Sequence, residues 1–161
     1  LDKDLINGCA NITGGGLADN IKRVIPNNFL AEIDLEKIKT SKDYLEEATK
    51  VVKKIEMNDA LEKHKNNSAI FIDVRDSSDI AKTGTITGAL EIQRGLIEFV
   101  ADESHGLHNE ALKKDSDIIL VCGAGGQAAL TGKTLVDMGY KNVSNVGAIG
   151  DWDNKGGPMT K

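Results

Sequence analysis

The sequence predicts an α/β domain built on a mostly parallel sheet with helices on both faces. Three observations lead there. From Ala69 onward, short runs rich in Ile and Val alternate with segments of helix-like spacing, the rhythm of strands joined by helical crossovers. The strand-like runs, such as "AIFIDV" and "DIILVC", are apolar at successive positions, as strands covered on both faces are. Aromatic residues make up only 4% of the chain, so the core has to come from Ile, Leu, Val and Ala.

The elements follow in order. "SKDYLEEATKVVKKIE", residues 41–56, predicts an amphipathic helix with Tyr44, Leu45, Ala48, Val51, Val52 and Ile55 on its apolar stripe. Ser41 stands where a cap is needed, and Glu46 precedes Lys50 by four residues. "NDALEKHK" predicts a short second helix. His64 on it reads as solvated surface, because no second His, Cys or carboxylate lies at a metal-like spacing. Strands are expected at "AIFIDV", "GALEI", "DIILVC" and "KNVSNV". The helical segments between them are "DSSDIAKTG", "RGLIEFVADE" and "AALTGKTLVDMGY". In the last, Leu130, Thr134, Leu135 and Met138 share a face, and Gly139 is placed to end the helix.

Composition limits the partners. The chain has 161 residues, 40% hydrophobic and 28% charged, which suits one soluble domain with an appendage. A fragment over residues 1–40 and a domain over residues 41–161 are expected. Net charge is −5 and there is no long basic run, which disfavours nucleic-acid and acidic-membrane partners. No apolar run approaches the roughly 20 residues that a membrane span needs. The start, "LDKDLINGCANITGGG", lacks the order of a signal peptide. Two cysteines, Cys9 and Cys122, are too few for a disulfide scaffold, so free thiols in a reducing cytoplasm are expected.

The stretch that carries chemistry is "IILVCGAGGQAAL". A strand stops on Cys122, and Gly123, Ala124, Gly125, Gly126 and Gln127 lead straight into a helix. In an open parallel sheet, ligands sit beyond the carboxyl ends of strands. Glycines there let successive N–H groups curl around whatever the sulfur holds, and the helix N-terminus adds to that field. The same field stabilises a thiolate. The arrangement therefore offers a nucleophile and a cradle for a negative group bound to it. The other reading is a small buried hydrophobe in a tight turn.

These pieces resemble a single rhodanese domain, a sulfurtransferase module, over residues 55–159. The resemblance is carried by "IDVRDSSDIAKTGTITGALEIQRGLIEF", by "IILVCGAGGQAALTGKTLVDMGYKNVSNVGAIGDW" and by the closing "GGP". It implies a five-stranded sheet with Cys122 as the active residue after the fourth strand, forming a persulfide. Sulfur would come from thiosulfate or another persulfide donor and go to a thiol or cyanide. Gly123, Ala124, Gly125, Gly126 and Gln127 would supply the amides that hold it. Neither a cofactor nor a metal is implied. The chain departs from the family where a basic residue often closes the loop, since Gln127 stands there. It reads Gly84, Thr85, Ile86, Thr87, Gly88, Ala89 in place of Gly-His-Ile-Pro-Gly-Ala, and Gly147, Ala148, Ile149 in place of Gly-Gly-Phe. A catalytically weak binding or regulatory module is therefore the alternative. A cysteine-loop phosphatase is more distant, because that chemistry needs an Arg at the end of the loop and none follows Arg94.

Arg94 is the best remaining cation for the donor; otherwise it is a surface residue pairing with Glu98. Asp73 and Arg75 read as supporting residues, with Asp73 capping a turn and Arg75 pairing with Asp76 or Asp79. His105 and His108 read as solvated rather than as proton shuttles. Trp152 is expected to cover the edge of the loop, Lys133 to be a surface charge, and Thr131 to lie on the helix.

The first third differs in kind. "GCANITGGGLADNIKRVIPNNFLAEID", residues 8–34, resembles a fragment of aminoimidazole ribonucleotide synthetase, a purine-pathway enzyme whose ATP-binding half is absent here. "TGGG" alone is a weak phosphate-loop signal without a following Gly-Lys-Ser/Thr. Leu17, Ile21, Val24 and Ile25 fall on one helical face that needs a cover, either the domain itself or a second copy, which would make a homodimer.

Overall fold

The computed structural model describes residues 38–161. The expectations for Cys9, for "TGGG" and for the Leu17, Ile21, Val24 and Ile25 face lie outside them. The described helices are α1 (Ser41–Val51), α2 (Met57–Lys65), α3 (Ser77–Thr83), α4 (Ile97–Val100), α5 (Gly126–Asp137) and α6 (Ile149–Asn154). The strands are β1 (Lys53–Lys54), β2 (Ile70–Asp73), β3 (Thr85–Ile86), β4 (Leu90–Glu91), β5 (Asp117–Cys122), β6 (Asn142–Ala148) and β7 (Met159–Thr160). Five strands form one sheet in the order β1-β6-β5-β2-β4. Every pairing in it is parallel. β3 and β7 pair antiparallel in a small second sheet.

Alternation along the central strands divides the core. Ile118, Leu120 and Cys122 of β5 pack with Ile72, Ile97, Ala128 and Leu135 on one face. Ile119 and Val121 point the other way, to Ala60, Phe71, Val146, Ile149 and Trp152. Helices α4 and α5 thus cover one face and α2 and α6 the other, as the apolar runs predict.

Several local expectations change. Thr40, not Ser41, caps α1, because Asp43 three residues on completes a capping box: Thr40 N donates to the Asp43 carboxylate at 2.6 Å, and Asp43 N donates to Thr40 Oγ1 at 3.4 Å. The helix ends at Val51 instead of running to residue 56. Lys53 and Lys54, which look like its polar face, instead pair with Ser144 and Asn145 as an edge strand. Ala48 and Val52 are buried, whereas Tyr44 and Val51 are exposed. Glu46 meets Lys42 at 3.8 Å.

On α5 the buried residues are Ala128, Ala129, Thr131, Gly132 and Leu135; Leu130, Thr134 and Met138 are only half-buried. The small residues bring the helix close to its neighbours. A Cβ on Gly132 would stand 2.8 Å from the Val52 methyls and 3.2 Å from Leu120. The helix stops as predicted at Gly139, with Gly139 N donating to Val136 O at 2.9 Å and Tyr140 N to Leu135 O at 3.0 Å.

Candidate active site

β5 ends on Cys122, the fourth strand of the main sheet in chain order, and the chain turns at once into α5. The Cys122 side is buried, and Sγ accepts hydrogen bonds from Gly125 N at 3.0 Å and Ala128 N at 3.5 Å. To aim an N–H back at a sulfur three residues earlier, Gly125 adopts φ +86°, a left-handed backbone that costs glycine little. Its carbonyl then starts the helix, accepting from Ala129 N at 3.0 Å. Two N–H dipoles and the first turn of a helix converge on one sulfur, an arrangement that favours negative charge there.

The structure brings together only part of the predicted set. Gly125 touches the sulfur; Gly123, Ala124, Gly126 and Gln127 frame the turn without a hydrogen bond from their amides to it. The Gln127 side is exposed, and its carbonyl accepts from the buried Thr131 hydroxyl at 2.8 Å. Ala128 takes part although the sequence marks it only as a helical residue. Outside the loop, Ala124, Gly125 and Gly126 border a cleft of ≈ 560 Å³ that Lys54, Asn145 and Asp151 also line.

Arg94 stands close by in the backbone: its N–H donates to Val74 O at 3.1 Å, and Val74 N donates to Val121 O at 3.1 Å, one residue before Cys122. Its guanidinium turns away, to Glu98 at 3.1 Å and Thr134 Oγ1 at 3.5 Å. Thr134 lies about 12 Å down the axis of α5 from Gly126, at 1.5 Å per residue.

Asp73 and Arg75 are partners of each other, not of Asp76 or Asp79. Arg75 Nη2 lies 2.6 Å from Asp73 Oδ2, and Nε lies 2.9 Å from Oδ1. Arg75 also donates to Thr83 Oγ1 at 2.8 Å and Gly84 O at 2.7 Å, while Thr85 Oγ1 donates to Asp73 at 2.8 Å. Its hydrogen bonds to Asp73 push the guanidinium further above its ordinary value, against the opposing effect of burial. The pair is buried and links the end of β2 to α3 and β3.

The remaining candidates lie apart from the sulfur. His64 is not solvated surface: its ring packs edge-on against Phe71 and Trp152, and Nε2 lies 2.7 Å from Thr87 O. Trp152 is packing, but in the core of the opposite sheet face rather than at the edge of the loop. His105 is exposed beside Phe99, and His108 Nδ1 lies 3.2 Å from Val100 O. Lys133 pairs with Asp137. Among the described residues no group of three or more His, Cys, Asp or Glu could hold a metal ion. None of their helices is long and apolar enough to cross a membrane.

A parallel five-stranded sheet that presents a buried cysteine in a backbone cradle defines the class, and the chain belongs to it: the Rhodanese-like domain model matches residues 56–155. Among solved structures, the chain is similar to a Rhodopseudomonas palustris protein of unknown function, described as a possible tyrosine phosphatase. That match has 29% identity and a TM-score of 0.72, covering 83% of this chain and 100% of that one. It shares its fold with the polysulfide-sulfur transferase homodimer of Wolinella succinogenes, at 24% identity and a TM-score of 0.59, covering 80% and 93%. A separate likeness, 53% identity over 36 residues, is to phosphoribosylformylglycinamidine cyclo-ligase of Neisseria gonorrhoeae. It covers 22% of this chain and about a tenth of that enzyme, in keeping with the fragment resemblance over residues 8–34.

Proposed function

We propose that the protein is a sulfurtransferase that carries sulfane sulfur on Cys122. The observation that carries this reading is the pair of N–H groups, from Gly125 and Ala128, aimed at a buried sulfur at a strand end. In the first half-reaction the Cys122 thiolate attacks the outer sulfur of thiosulfate. The sulfur–sulfur bond breaks, and sulfite leaves with the bonding pair. In the second, cyanide or an acceptor thiolate attacks the outer sulfur of the Cys122 persulfide and releases the thiolate again. The Gly125 and Ala128 amides hold the negative charge that Cys122 Sγ carries before the first step and regains in the second. Formation of thiocyanate from thiosulfate and cyanide tests this; a rate no higher than that without protein is the contrary outcome. Free thiols suit a reducing compartment such as the cytoplasm.

A second reading is a rhodanese-like binding module with little turnover. Residues 123–127 bring no cation to the cradle, and Arg94 is engaged by Glu98. If Arg94 swings from Glu98 to serve a dianionic donor, Arg94→Ala raises KM for thiosulfate by roughly two- to fivefold, the scale of a partly exposed ion contact. Gln127→Arg then lowers it. Unchanged kinetics in both would point to a persulfide donor that is not a small dianion. The phosphatase description of the Rhodopseudomonas protein transfers poorly, since no Arg follows Cys122 to clamp a transferring phosphate.

The sulfur chemistry is assigned to the domain alone. A chain of residues Lys39–Lys161, which keeps the Thr40 cap, is expected to melt cooperatively and to retain sulfur uptake. A shortened chain without a melting transition would contradict this. The homodimer proposed through residues 1–40 is read by light scattering on the full-length and shortened chains, where only the full-length chain should have twice its monomer mass.

A further inference from the structure

Opposite Cys122's strand, β6 carries a bulge. Leu120 pairs with Asn145 and Val121 with Gly147, which leaves Val146 as the extra residue. Gly147 takes φ +98° there. The side chain of Asn145 spans the irregularity: Oδ1 accepts from Gly147 N at 2.8 Å, and Nδ2 donates to Gly125 O at 2.9 Å. The orientation of this amide is dictated by its partners, because a carbonyl demands its nitrogen and an N–H its oxygen. Its main chain is held as well, with Asn145 O accepting from Ile55 N at 3.1 Å.

We infer that Asn145 is the positioning residue of the cradle, fixing Gly125 so that its N–H faces Cys122; this rests on the sulfur-transfer reading of Cys122. Gly125 is the residue on which the cradle depends. One end of it meets the sulfur at 3.0 Å, and the other end is shared by Ala129 N and the Asn145 amide. Glycine has the widest choice of backbone angles, so a glycine that must hold one left-handed conformation needs an outside anchor. The helix supplies half of that anchor and Asn145 the other half. β6 thereby acts on the reaction through an amide that does not touch the sulfur.

The test is single-turnover loading of Cys122 by thiosulfate in the full chain, followed by peptide mass. Asn145→Ala should load about ten- to a hundredfold more slowly at saturating donor, the worth of one hydrogen bond to a charged group. The half-saturating donor concentration should stay within about twofold, since binding is not what the residue serves. Asn145→Asp keeps an acceptor for Gly147 N but loses the donor to Gly125 O, so it should fold and load as slowly as the alanine variant. Loading at the wild-type rate by either variant overturns the inference; for Asn145→Asp it would show that the bulge alone matters. Failure of the wild type to load would count against sulfur transfer, not against the positioning. Alkylation of Cys122 by iodoacetamide then decides the latter: both variants should react at least about tenfold more slowly, and an equal or faster rate overturns it.

Discussion

Cys122→Ser leaves a folded protein that takes up no sulfur. A hydroxyl can accept the same two N–H bonds from Gly125 and Ala128 as the thiol does. The stability cost should therefore stay near 1 kcal/mol, the scale of one altered hydrogen bond. The loss of transfer is complete rather than partial, because the transferred atom has to be held covalently and the hydroxyl is not the nucleophile for it. Circular dichroism and thiocyanate formation on the same sample separate the two effects. A serine variant that turns over thiosulfate at the wild-type rate would remove Cys122 from the mechanism. Cys9→Ser should be silent in this assay, and a strong loss there would mean that Cys9 resolves the persulfide.

Arg75→Met has the largest expected effect on stability, about 3–5 kcal/mol, the cost of leaving one member of a buried ion pair alone. Asp73 is fully buried and Arg75 nearly so, with side-chain exposures of 0% and 5%. Removing the guanidinium strands the carboxylate, takes the donor from Thr83 Oγ1, and leaves Gly84 O only the 3.2 Å bond from the Thr83 hydroxyl. In a domain of this size the melting midpoint should drop by roughly 10–20 °C. Removing Asp73 as well, in an Asp73→Asn/Arg75→Met double variant, should recover part of the loss, because no charge then stays buried. A single-variant loss below about 1 kcal/mol, read from denaturant unfolding, would show that water reaches the pair.

Sequence legibility tracked how much of each element's signal is local. β2 and β5 are readable because they are buried on both faces and show apolar runs, Ile-Phe-Ile in one and Ile-Ile-Leu-Val in the other. β1 was not, since two exposed lysines become a strand only through backbone pairing with β6. The spacing of α5 and its stop at Gly139 are legible, but most of its buried side is not. Ala128, Thr131 and Gly132 are small or polar in the sequence, and they are buried because β5 and Val52 approach closely. His64 likewise depends on rings brought from Phe71 and Trp152.

The site divides in the same way. Cys122 and the glycine turn lie in one stretch of chain, so the turn is legible, whereas the choice of Gly125 and Ala128 as the amides that meet the sulfur is not. Asp73 and Arg75 read from the sequence as supporting residues, but their pairing with each other is not legible, because Asp76 and Asp79 stand at equally suitable spacing from Arg75. Arg94's pairing with Glu98 was one of two readings, and the four-residue separation supplied it. Asn145 carried no signal: it stands twenty residues from the glycine it anchors, and only the bulge in β6 brings its amide there.

Sulfur carriage on Cys122 is read most directly from the mass of the Cys122 peptide after the 161-residue chain has been incubated with thiosulfate and freed of excess donor. A sulfurtransferase acting through Cys122 gives a gain of one sulfur atom on that peptide, lost again on addition of cyanide or a small thiol. A Cys122 peptide of unchanged mass, from a protein that circular dichroism shows to be folded, would contradict it.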